Sequence, residues 1–130
     1  MTPSNEPSRP LAILLREPYR LFFPVAAVYA VTVMAGWGLW LLYLGGQGPG
    51  VPAPGLPAPW LHGHTLIWGV LQLFIFGFAL TALPRQCRHP DGIPPARWLL
   101  LLIGFLLGQA GIWGGALGGR PELAAAAAAL

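Results

Sequence analysis

Two of the three histidines in this chain, His62 and His64, stand one residue apart in the stretch APWLHGHTLIWG, at the mouth of a long apolar run. Neutral imidazole is the commonest nitrogen ligand for metals and a frequent axial ligand of haem iron, and polar groups within apolar spans mark functional sites by default. The spacing alone also allows a wet interfacial pair with no ligand, because a lone His-x-His pattern is short. Helical geometry narrows the choice. Each residue turns about 100° around the axis, so a straight helix from Leu61 puts His62 on one side with Thr65, Gly69 and Gln72. His64 then points nearly opposite, towards Trp68, Leu71 and Ile75. Two rings so placed cannot grip one ion, since neighbours on a helix face are three or four residues apart. They serve two centres, or the chain is irregular at His62. The His62 face carries small and polar residues suited to helix contact, and Gly69 leaves room for a ring edge to approach. This geometry ranks His62 ahead of His64 as a haem ligand and leaves His64 to a weaker role or a separate metal site.

The other titratable residues form no second centre. Glu17 and Glu122 lie at opposite ends of the apolar runs, Asp91 sits in a turn, and His89 beside Pro90 reads as a surface residue. The single cysteine, Cys87, has no disulfide partner within the chain. There is no Gly-rich phosphate loop and no nucleophile beside a base, so these residues assign no reaction and leave enzymatic activity open.

The elements that must position the histidines follow from composition. Hydrophobic residues make up 55% of the 130 and charged residues only 8%, too few charges to cover a soluble domain. Apolar runs extend over Leu21 to Leu44, Leu61 to Leu83 and Trp98 to Leu117. Each approaches or exceeds the ~20 residues that a helix needs to cross a bilayer. Only helices and closed barrels satisfy their own backbone in lipid, and the alternating pattern of a barrel strand is missing. The expected fold is all-α, a polytopic transmembrane bundle of three full spans. Residues 1–20 form a polar lead with an amphipathic stretch from Leu11 to Arg20, broken at Pro18, that suits the membrane surface. The transmembrane domain covers residues 21–118. Residues 119–130, with the run LAAAAAAL, read as the opening of a fourth span or a low-complexity tail. So thin a bundle is expected to belong to a longer chain or to assemble as a homo-oligomer or with partners.

The basic excess is not a nucleic-acid footprint. Arg9, Arg16 and Arg20 precede the first span, Arg85, Arg88 and Arg97 lie between the second and third, and the Gly- and Pro-rich loop from Gly45 to Trp60 has no charge. The positive-inside rule then puts the amino terminus and the second loop in the cytoplasm; in a bacterial cell this is a multi-pass protein of the inner membrane with the first loop in the periplasm. A cleaved signal peptide is the competing reading of the first forty residues; the length of the first run argues against it, as does its ending in Trp and Tyr in place of a small-residue cleavage site. Trp37, Trp40, Tyr43, Trp60 and Trp113 are placed as an outer aromatic belt. In the third span Gly104, Gly108, Gly111, Gly115 and Gly118 form a stripe without side chains, which suits close helix packing or, alternatively, a flat macrocycle.

Three segments in order carry a resemblance: REPYRLFFPVAAVYA leading into the first span, WLHGHTLIWG opening the second and GFALTALPRQ closing it. Together they resemble the amino-terminal part of the NnrS family, integral membrane proteins that bear haem and copper and are associated with the response to nitric oxide. The family pattern falls here on Tyr19, Arg20, Phe22 and Phe23, on His62 and His64, and on Gly77, Phe78, Thr81, Ala82 and Pro84. The resemblance implies haem of the b type, copper as a second metal, nitric oxide as the small-molecule partner, and both His62 and His64 as cofactor and metal ligands. Thr65 stands where the family commonly carries Glu, Leu66 where it carries Met, and Gln109 in the region of an Arg. The Glu replacement removes a carboxylate that would orient an imidazole. A looser likeness joins the second span to subunit I of haem-copper oxidases and nitric oxide reductases, whose copper histidines, on later helices, have no counterpart here. A cofactor-free membrane subunit is the alternative from another class, and a haem optical spectrum separates it from the other two.

Overall fold

In the computed structural model the described residues are 9–44, 46, 56–87 and 92–128. Most of the first loop, residues 88–91 with His89 and Asp91, and the polar lead before residue 9 lie outside them. The expectations for those segments go with them. Among the described residues the elements are all helical: α1 (Arg9–Leu14), α2 (Tyr19–Leu44), α3 (Ala58–Gln86), α4 (Pro95–Leu117) and α5 (Pro121–Ala128). α2, α3 and α4 are long and apolar enough to cross a membrane, as the three apolar runs require.

Each spanning helix begins two or three residues before its apolar run, and proline explains the extension. Pro18, Pro59 and Pro95 stand at or next to helix starts, where the missing N–H would have no partner anyway and the fixed φ is already helical. Pro18 therefore opens α2, where a break in an interfacial helix is expected from the sequence, and its carbonyl accepts the amides of Leu21 and Phe22 at 3.1 and 3.0 Å. The amphipathic lead is shorter than expected and ends at Leu14.

α2 and α3 run antiparallel, with a register read from four contacts. The amide of Tyr19 donates to Thr81 Oγ1 at 3.2 Å. A Cβ on Gly77 would fall 2.8 Å from Phe22 Cβ, and one on Gly69 would fall 2.6 Å from the Tyr29 ring. At the far end the Trp37 and His62 rings meet edge to face at 4.9 Å. α4 packs alongside through Trp98, Leu102 and Phe105, which join Phe22, Ala26 and Leu73 in the main core. A smaller cluster of Leu61, Ile112 and Ala116 closes the opposite end. Glu17 is not a free flanking charge: it pairs with Arg85 at 2.6 Å, tying the start of α2 to the end of α3. With the arginine side chain 65% exposed, such a pair contributes at most about 1 kcal/mol.

The chain turns at Gly119, whose φ of +65° is in the left-handed region that glycine enters without steric cost. α5 then folds back along α4. Ala124 and Ala127 seat on Gly115 and Gly111, where a Cβ would fall 2.5 and 2.8 Å from them, and Gly108 faces the Ala127 carbonyl. The alanine run is thus the partner of the glycine stripe over its second half. Gly104, by contrast, has nothing within 4 Å of where a Cβ would lie.

Candidate functional site

The straight-helix expectation fails in α3, and the failure decides where the histidines point. Residues Ala58–His64 are α-helical, Thr65–Leu71 form π-helical turns, and Gln72–Gln86 return to α geometry. In π geometry each amide bonds the carbonyl five residues back, so a turn takes more residues and positions four apart stay on one side. His64, Trp68, Gln72 and Phe76 consequently line one cleft. Gln72, grouped with His62 on the straight helix although a uniform 100° step leaves it about 80° from either histidine, lines the cleft with His64.

The cleft lies between α3 and α4, with a volume of about 440 Å³, within the ~300–1,000 Å³ of small-molecule and cofactor sites. α4 lines it with Leu100, Leu101, Gly104, Phe105, Gly108 and Gln109, and Ala127 and Ala128 of α5 close one end. Among the described residues no charged side chain lines it, and the polar side chains there include His64, Gln72 and Gln109. The His64 ring stacks on Trp60 at 4.9 Å with planes 23° apart, which fixes the plane of the imidazole. His64 Nδ1 is buried and has no hydrogen-bond partner among the described residues. Closed to solvent, Nδ1 is closed to the cleft as well, which leaves Nε2 as the ring nitrogen for a ligand there.

His62 stands apart. Its exposed side chain lies against Trp37, whose ring in turn meets Trp40 at 5.1 Å. The two histidines do not converge, and among the described residues no group of three or more His, Cys, Asp or Glu gathers that could hold a metal ion. The space beside Gly69, expected to admit a ring edge of a ligand near His62, is filled by Tyr29. That removes the geometric reason for ranking His62 first.

Tyr29 is the residue that sequence reasoning missed. Its hydroxyl donates to Gln109 Oε1 at 2.9 Å and accepts from Trp113 Nε1 at 3.3 Å, while Gln109 Nε2 donates to the Trp68 carbonyl at 3.3 Å. A phenol in mid-span was the available signal. Trp113, expected in the aromatic belt, turns inward to this network.

The two outer motifs of the sequence resemblance meet in space. Tyr19, Phe22 and Phe23 of α2 pack on Gly77 and Thr81 of α3. Tyr19, Phe23 and Thr81 line a second hollow together with Phe78, Ala82, Arg85 and Gln86, at the end remote from the histidines. By this packing the two motifs lock α2 on α3.

Compared with known proteins, the chain matches the family described as NnrS protein over residues 13–130. No curated protein and no solved structure matches it.

Proposed function

Because the chain belongs to the NnrS family, we propose that it is a haem-binding membrane protein of the nitric oxide response, holding haem of the b type in the α3–α4 cleft on His64. The observation that carries the reading is the position of the His64 imidazole, which stacks on Trp60 and lines an apolar cleft of cofactor size. When bound, haem supplies an iron at which a small neutral molecule such as nitric oxide coordinates. The rest is done by the protein. Trp60 holds the His64 ring plane, Phe76 and Phe105 wall the cleft against water, and Gly104 leaves space on the facing helix. Gln72 and Gln109 provide the nearby amide groups.

Copper does not fit the described residues as haem does. His62 is a single exposed imidazole against an indole, and no second ligand accompanies it among the described residues, so no step is assigned to copper. In this reading His62 is an interfacial residue or one ligand of a centre completed elsewhere. Leu100 and Leu101, 72% and 50% exposed, edge the cleft. Lipid, a second copy of the chain or further spans would cover that side.

The test fills the cleft without touching either histidine. Gly104→Phe places a ring where there is open space, so the variant is expected to melt like the parent in detergent yet lose the haem Soret band on titration with haemin. An unchanged band in a normally folded variant would remove haem from this cleft.

The reading also places the chain in a bacterial inner membrane with its arginine end in the cytoplasm, from the loop charge asymmetry. Cys87, exposed just beyond α3, is then expected to resist an impermeant thiol reagent in sealed cells, while a Gly50→Cys variant reacts. Labelling of Cys87 from outside would reverse the orientation.

A further inference from the structure

We propose that Gln109 is a positioning residue for the cleft: by bonding the Trp68 carbonyl it holds the π-helical register of α3 that turns His64 towards the cavity. In an α-helix the amide of Gln72 would donate to Trp68 O. Here it donates to Ile67 O and Gly69 O instead, and the carbonyl that loses this donor receives Gln109 Nε2. A side chain 41 residues away in sequence thus supplies a bond where the register change takes one away.

The orientation of the Gln109 amide is forced. An indole N–H only donates and a backbone carbonyl only accepts. Trp113 Nε1 donates to the Tyr29 oxygen, leaving the Tyr29 hydroxyl hydrogen for Gln109 Oε1, so the amide NH₂ must face Trp68 O. The chain of bonds runs in one direction and links α4, α2 and α3 at mid-span. Gln109 is 7% exposed, and both ends of its amide are used. Gly69 completes the arrangement, since any side chain there would strike the Tyr29 ring. Without the bond to Trp68 O, α3 can relax to α geometry. That relaxation turns the segment Ala58–His64 by about 100°, one residue's step, taking His64 off the cleft and His62 off Trp37.

The role in the register is independent of what the cleft holds, whereas its effect on haem rests on the function proposed above. The test therefore has two readouts. In a Cys87→Ser background, Trp37→Cys with His62→Cys reports the register before the π-helical turns, and Phe23→Cys with Phe74→Cys, whose native rings lie 5.5 Å apart, reports packing beyond them. Gln109→Met, nearly isosteric and without either bond, is expected to lower cross-linking of the first pair by about fivefold, the equivalent of one buried hydrogen bond, and to leave the second pair unchanged. Tyr29→Phe, a milder change that frees the amide to rotate, is expected to shift the first pair in the same direction. Unchanged cross-linking of the first pair, or equal loss of both, would overturn the role of Gln109. In the chain with both histidines intact, Gln109→Met is further expected to weaken haemin binding. A shifted register with undiminished haemin binding would sustain the role of Gln109 and contradict His64 as the ligand.

Discussion

His64→Ala is expected to abolish the Soret band of the haem-loaded protein, lowering haem affinity by at least about 100-fold, the upper end of what losing a mere supporting partner of a ligand costs. His62→Ala is expected to leave the band within about twofold of the parent, well inside the tenfold that 1.4 kcal/mol represents. The contrast follows from the backbone. The π-helical turns bring His64 onto the side of Trp68, Gln72 and Phe76 that lines the cleft, while His62 faces Trp37 on α2. His64 also stacks on Trp60, which orients its ring before any ligand arrives. The substitution empties only part of a wall, so the fold is retained, and a melting curve in detergent separates lost binding from lost structure. Loss of the band in the His62 variant alone would restore the ranking that a straight helix predicts.

The second large effect is on stability. Gly77→Leu is expected to destabilise the bundle by about 3 kcal/mol or more, the upper end of overpacking costs. A Cβ at this position falls 2.8 Å from Phe22 Cβ and 2.9 Å from the Phe23 ring. Phe22 Cβ is the root of a fully buried side chain that also meets Phe76 and Trp98, so it cannot swing aside as the end of a flexible chain would. The helices must separate at this contact, and in lipid close packing of this kind is what holds spans together. Thermal melting followed by tryptophan fluorescence measures the loss. A Gly77→Leu protein that melts with the parent would show that α2 and α3 do not pack here.

The spanning helices were legible because lipid imposes a length on apolar runs; their starts were displaced by the prolines that open them, and α3 also runs past Leu83 to Gln86. The glycine stripe announced close packing, although its partner, the alanine run of α5, became visible only once the turn at Gly119 brought the two together. The facing of the histidines was not legible. A π-helical turn carries no residue-type signature of its own, and the groups bonded around it, Tyr29, Trp68, Gln109 and Trp113, are scattered over three helices. Spacing within α3 therefore singled out the two histidines without showing which way each faces. Gly69 illustrates the limit: its lack of a side chain signals a close approach, and only the fold identifies Tyr29 as the group that approaches.

The claim that His64 supplies the ligand is tested most directly by chemical rescue. Haemin is titrated into the detergent-purified His64→Ala protein with and without free imidazole, which can enter the space vacated by the side chain. Ligation by His64 predicts no Soret band without imidazole, a band close to that of the parent with it, and no such dependence in His62→Ala. A parent-like band in His64→Ala without imidazole would contradict it.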